Sequence, residues 1–191
     1  KKQYSAAAQQ LRHALSIDPG IADAHYLLGT TAKNQGDEVQ SIEHFVRALD
    51  IKPDFELAYR DLIAALGQSG QIQRAKEVID TAISHFPESA EFQFYLGNVL
   101  SVEEDYASAV TCYQRALSTK PGFAQAHKNL ADALKNRGQL DHAVASYQRA
   151  LWFEPNLVDA HVEVGNILHG QGKLDQAITC FRRAVALKPE V

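Results

Sequence analysis

Eight histidines, two cysteines and one glycine-rich run are the residues of this chain best suited by type to chemistry. Imidazoles and thiolates hold a metal only when several donors converge to within about 2 Å of one ion. His25, His127 and His161 stand whole multiples of 34 residues apart, which is how equivalent places on separate helices are spaced. Such places are too distant to share an ion. There is no H-E-x-x-H and no C-x-x-C, and neither cysteine has histidines at ligand spacing. His161 and His169, eight apart, are the one pair that a single helix could carry together. The imidazoles are therefore read as packing groups standing in for an aromatic ring, with one nitrogen reaching solvent. The run Gly165–Lys173 (GNILHGQGK) imitates a phosphate loop but has Leu174 where Ser or Thr would meet magnesium. No catalytic residue, cofactor or metal is expected.

The elements that must carry these residues follow from the prolines. Pro19, Pro53, Pro87, Pro121, Pro155 and Pro189 are the only prolines, and each stands 34 residues from the next. A beat that constant means one structural unit repeated. With each proline at position 32 of 34, residues 1–21 are the end of a partial unit, its second helix only. Full units then span 22–55, 56–89, 90–123, 124–157 and 158–191, making residues 1–191 a single array. Position 27 is alanine throughout (Ala14, Ala48, Ala82, Ala116, Ala150, Ala184), and position 20 is Ala7, Ser41, Ala75, Ala109, Ala143 and Ala177. Position 24 is large: Leu11, Phe45, Ile79, Tyr113, Tyr147, Phe181. Position 8 is Gly29, Ile63, Gly97, Ala131 and Gly165.

These slots have helical spacing. Positions 4, 7, 8 and 11 share one face of a first helix (A), and positions 20, 24, 27 and 28 share one face of a second (B). Position 15 between them is Gly36, Gly70, Gly138 and Gly172, with Glu104 the exception. Glycine there supplies the left-handed backbone that ends helix A, and the proline stops helix B. One unit cannot bury its apolar face alone, whereas a stack can.

This pattern closely resembles the tetratricopeptide repeat family, and its repeats are similar to those of bacterial members and of O-linked N-acetylglucosamine transferase arms. The resemblance implies an all-α, right-handed superhelical solenoid of antiparallel helix pairs. It also implies a concave groove, lined by positions 2, 5, 6, 9, 12 and 13 of the A helices, that binds proteins or peptides. Helical geometry agrees that 2, 5, 9 and 12 share a face distinct from the packed one. The groove residues so expected are Asp23, Tyr26, Thr30 and Lys33; Arg60, with Asp61 alongside; and Phe94, Tyr95 and Asn98. Lys128, Asn129, Asp132 and Lys135 follow, then Asn166, with Glu163 at the edge. A carboxylate clamp of the chaperone-binding kind is absent, since Lys128 has Asp132 at position 9 and Glu163 follows at position 6. Asn98, Asn129 and Asn166 make only a broken asparagine ladder. What remains is a mixed surface, with aromatic anchors at Tyr26, Phe94 and Tyr95 and cations at Arg60, Lys128 and Lys135.

Bulk properties set the remaining expectations. A formal charge of −4 argues against nucleic acid as a partner, and no apolar run approaches the roughly 20 residues needed to enter a membrane as a helix. Cys112 and Cys180, two units apart, are too distant to pair, and free thiols point to the cytoplasm. Arg47, Arg115, Arg149 and Arg183 recur at position 26 and read as a solvated stripe near the ends of the B helices. Trp152 is either a contact site or a residue packed under the following loop. Without methionine and without a polar capping helix, the chain reads as a segment of a longer protein whose ends self-associate or abut further repeats. The functional expectation is a non-catalytic scaffold that binds a partner's peptide or helix. The alternatives are the substrate-recruiting arm of a larger enzyme, such as a glycosyltransferase, or a self-assembling scaffold.

Overall fold

A computed structural model of the chain describes residues 2–188, with side chains from residue 8 onward. Pro189, the chain ends at Lys1 and Val191, and the side chain of Ala7 lie outside the described residues. Every regular element among the described residues is an α-helix: α1 (Lys2–Ile17), α2 (Ala22–Gln35), α3 (Glu38–Ile51), α4 (Glu56–Gln68), α5 (Ile72–His85), α6 (Ala90–Val102), α7 (Tyr106–Thr119), α8 (Ala124–Asn136), α9 (Leu140–Phe153), α10 (Val158–Gly170) and α11 (Leu174–Leu187). Even-numbered helices are the A helices and odd-numbered ones the B helices. None of them is long and apolar enough to cross a membrane. The helices group into two compact units, Lys1–Glu88 and Ser89–Val191, each described in its own right below.

The turn from A to B is built identically each time. Gly36, Gly70, Gly138 and Gly172 take φ between +71° and +80°. In every full repeat the N–H at position 16 then reaches back to the carbonyl at position 11. These bonds join Asp37 to Ala32, Gln71 to Leu66, Asp105 to Leu100, Gln139 to Leu134 and Lys173 to Leu168, each at 2.9 Å. This is the Schellman closure that a left-handed residue permits. Glu104 makes the same turn at φ +61° despite its side chain. Position 16 also starts helix B: Asp37 and Asp105 accept from the N–H groups of Gln40 (3.0 Å) and Ser108 (3.1 Å), satisfying donors that the first helical turn leaves open.

Within each A–B pair, packing centres on the ring at position 24. A Cβ on Gly29 would lie 2.7 Å from the ring of Phe45, one on Gly97 2.6 Å from Tyr113, and one on Gly165 2.6 Å from Phe181. In these three repeats glycine makes room for the ring, while Ala131, wholly buried opposite Tyr147, shows that the same slot admits one methyl group. Ile63 fits because its partner slot holds the slimmer Ile79, and both are buried. The alanines at position 27 are also buried, Ala48, Ala82, Ala116 and Ala150 wholly so, and Ala48 clusters with Phe55 and with Ala58 of the following repeat. Ser41 is the one departure from alanine at position 20, and its Oγ is buried without a hydrogen-bond partner.

Two stability outcomes follow from these slots. Gly97→Val should lose about 1–3 kcal/mol by overpacking Tyr113, seen as a lower urea midpoint with unchanged slope; an unchanged midpoint contradicts the close approach. Glu104→Gly relieves a left-handed conformation and should gain about 0.5–1 kcal/mol, read from thermal melts. A lower Tm would contradict it.

Candidate protein-binding face

In the first unit the expected face lies on α2 and α4. Tyr26 packs between Phe45 (ring centroids 5.8 Å apart) and Phe55 (4.9 Å), and its hydroxyl donates to Asp61 Oδ2 at 2.9 Å. Lys33 donates to the other oxygen of the same carboxylate at 3.0 Å. One aspartate on α4 therefore ties down both the aromatic and the cation offered by α2. Burial first, and then the Asp61 hydrogen bond and charge, push the Tyr26 phenol up to about 12. Arg60 is half-buried next in sequence to Asp61. Thr30 turns back onto its own helix, its Oγ1 donating to the Leu27 carbonyl at 2.9 Å. Asp23 is exposed in the first turn of α2, where a negative charge complements the helix dipole.

The second unit brings its residues together more tightly. Asn129 Nδ2 on α8 donates to Asn98 Oδ1 on α6 at 2.8 Å, and the Tyr113 hydroxyl from α7 donates to that same oxygen at 3.0 Å. Gln125 Nε2 donates to Asn129 Oδ1 at 3.0 Å, and Ser101 Oγ lies 3.1 Å from the Tyr113 hydroxyl. The Asn98 oxygen is thus used twice, while its NH2 group has no protein partner among the described residues. Asn98, Ser101, Tyr113, Asn129 and Asp132 line an open polar hollow of about 250 Å³. At the same hollow, Asp132 receives Lys128 at 2.9 Å and the Tyr147 hydroxyl. Burial, followed by the Asp132 hydrogen bond and charge, raises the Tyr147 phenol well above its ordinary value. Lys135 pairs with Glu163 of α10 at 2.8 Å. Asn166 is exposed and stands apart from this network.

Three features differ from what the sequence suggested. Phe94, expected as an exposed anchor, is only 8% accessible and packs 4.7 Å from Phe123 and 6.0 Å from Tyr113. The reason is local: Phe94 and Tyr26 both hold position 5, and both stack on a phenylalanine at position 34 of the same repeat. Where position 34 is Leu157, position 5 is Lys128 instead. Second, Lys33, Lys128 and Lys135, expected as groove residues, are all paired with carboxylates. Third, Tyr113 and Tyr147 looked like mere fillers of position 24. They reach through the helix pair to hydrogen-bond position 9 on the outer face, Asn98 and Asp132 respectively. The signal was present in the sequence, since Phe45 and Phe181, which have no hydroxyl, pair with Thr30 and Asn166 at position 9.

The histidines also find specific partners. His127 Nε2 and His161 Nε2 lie 2.9 and 3.0 Å from the carbonyls of Pro121 and Pro155, closing the link between successive repeats. His25 Nδ1 sits 3.1 Å from His44 Nδ1. Burial, then the neighbouring imidazole, lowers His44 below the usual histidine value.

Comparisons with known proteins agree with this fold. Family profiles described as tetratricopeptide repeats match residues 22–55, 60–106 and 158–191, and one described as a TPR repeat matches 131–172. The chain is 26% identical over 143 residues to the protein O-mannosyl-transferase TMTC1 of Mus musculus, an alignment covering 72% of this chain and 15% of that protein. The chain thus spans under a fifth of that relative's length. Among solved structures, a crystal structure of MamA matches 85% of this chain and 95% of its own, with a TM-score of 0.78 and 21% identity. YrrB, described as a TPR protein with an unusual peptide-binding site, matches 96% of this chain and 94% of its own, with a TM-score of 0.76 and 18% identity. At these identities the structural likeness is one of fold.

The Tyr26 environment generates a pH outcome. A phenol raised in the folded state favours folding fully below about pH 10, and that contribution is lost as pH rises toward about 12. The difference in phenolate absorbance between the wild type and Tyr26→Phe should titrate near pH 12; a midpoint near 10 would show that Tyr26 is neither buried nor bonded to Asp61.

Proposed function

Because the chain belongs to the tetratricopeptide repeat family, we propose that it is a non-catalytic interaction scaffold whose A-helix face receives an extended peptide of a partner protein. The observation that carries the reading is the hollow between α6 and α8. A peptide in extended form presents alternating N–H and C=O groups that must find partners when they leave water. Side-chain amides and hydroxyls can both donate and accept, and Asn98, Ser101, Tyr113 and Asn129 supply four such groups within one hydrogen-bonded cluster. The Asn98 NH2 is a ready donor to a peptide carbonyl. The paired lysines beside it suit the same reading. A face that is internally neutralised costs less to desolvate against a neutral backbone than one bearing free charges. Selectivity then rests with Asp132, Lys128 and Lys135, where a partner's side chain can exchange for one already in place.

A second form of this reading is favoured by the likeness to an O-mannosyl-transferase of which the chain covers 15%. In that form the repeats recruit substrates or partners for a larger enzyme. A catalytic domain elsewhere in the full-length sequence would support it, and a full-length chain made of repeats alone would remove it.

Peptides selected on the wild-type chain from a randomised library test the binding face. Asn129→Ala should weaken those that bind this face by about tenfold, with helicity and Tm nearly unchanged. If every selected peptide binds the variant with wild-type affinity, the face has been misassigned.

A further inference from the structure

The B helices carry a second surface, independent of the A-helix face. In the second unit α7 and α9 splay apart over α8, leaving an open cleft of about 790 Å³. Its floor is apolar, with Val110 and Leu117 from α7 and Leu130 and Leu134 from α8. Its wall at the end of α9 is Phe153, whose ring stacks on His127 at 5.8 Å with planes 12° apart. Its polar rim is formed by Arg137, Gln139, His142 and Arg149. No carboxylate is among the residues that line it. Neither Arg137 nor Arg149 makes an ion pair among the described residues, in contrast to the lysines of the A-helix face. The neighbouring Asp141 is outside the lining and accepts from Gln171 at 2.9 Å.

The first unit supplies an internal control. Many of the same repeat positions there line a smaller cleft of about 510 Å³ over α4, with an apolar floor that includes Leu49 and Leu62, although the counterparts of Arg137, Gln139 and His142 do not line it. Its charge is opposite. Glu77 stands where the second unit has Ala145, Thr81 where it has Arg149, and Asp50, which pairs with Arg47 at 3.8 Å, is also in the wall. The family's packing rules account for the floor in both units, but they do not account for a cationic rim in one and an anionic rim in the other.

We propose that the α7–α9 cleft docks an acidic segment of a partner protein, with its apolar side chains on the leucine and valine floor and its carboxylates on Arg137 and Arg149. Charge complementarity selects this occupant. Two unpaired guanidiniums above an apolar floor favour carboxylate forks over cations or neutral chains. Trp152 strengthens the assignment. It is 81% exposed, so it does not pack under the following loop, and it stands three residues after Arg149, on the same side of α9. Tryptophan and arginine are both among the residue types enriched at interface hot spots.

The test uses the double variant Arg137→Ser, Arg149→Thr, which installs the residues that the first unit carries at those positions (Ser69 and Thr81). Both arginines are exposed, so helicity and Tm should stay at wild-type values. From a randomised peptide library selected on the whole chain, one class of peptides should be acidic with interspersed apolar residues. That class should lose about tenfold or more in affinity on the double variant and keep its affinity on Asn129→Ala. Its binding should weaken with added salt. The proposal is overturned if no selected peptide loses affinity on the double variant, or if those that do are neutral or basic. It is equally overturned if sedimentation finds a wild-type dimer that the double variant breaks, since a second copy would then fill the cleft.

Discussion

Everything in this chain depends on how closely an A helix can approach its B helix at one crossing. In three repeats the ring at position 24 sits where a Cβ at position 8 would otherwise be, within 2.7 Å at Gly29, Gly97 and Gly165. In the others the slot holds Ile63 opposite Ile79 or Ala131 opposite Tyr147. Contact this close fixes which way each helix faces, because a rotated A helix would drive a larger side chain into the ring. The constraint is local to one repeat, so it can recur with each period. The neighbouring repeat adds its own layer through the histidine–proline links.

The same ring connects scaffold to surface. Where position 24 is tyrosine, its hydroxyl emerges on the A-helix face and bonds position 9, so a core residue holds a surface residue in place. Asn98 and Asp132 are therefore presented in a set orientation, whereas Asn166, opposite a phenylalanine, is exposed and apart from the network. The ion pairs add a second order. Lys33–Asp61 and Lys135–Glu163 both join position 12 of one repeat to position 6 of the next. Half-exposed pairs of this kind contribute only about 0.2–1 kcal/mol each. Their larger consequence is a polar, nearly neutral face on the A helices, beside a B-helix cleft whose arginines are left unpaired.

The helices, their turns and their packed slots were legible because each rests on a residue type that physics restricts: proline without an N–H, glycine at positive φ, small residues at a crossing. Glu104 shows the limit of that logic from the other side, since tertiary context holds a glutamate in the glycine conformation. The binding face was legible only in outline. Helical periodicity says which side of α6 Phe94 is on, but not that Phe123 will cover it. That depends on a residue 29 positions later, and is visible only when positions 5 and 34 are read together. The lysine pairings were hidden for the same reason: each partner lies on the next repeat, or one turn along, where single-slot reading does not look. The B-helix cleft was read as a solvated arginine stripe because its floor exists only once α7 and α9 diverge over α8.

The central claim is that the position-24 ring organises the binding face as well as the core. A double-mutant cycle on stability between Tyr113→Phe and Asn98→Ala addresses it directly, since both residues are joined by one hydrogen bond of 3.0 Å. A coupling of about 0.5–1.5 kcal/mol is expected, the net worth of such a bond in a partly buried setting. Strictly additive effects of the two substitutions would show that the tyrosine fills space and nothing more, and would contradict the account.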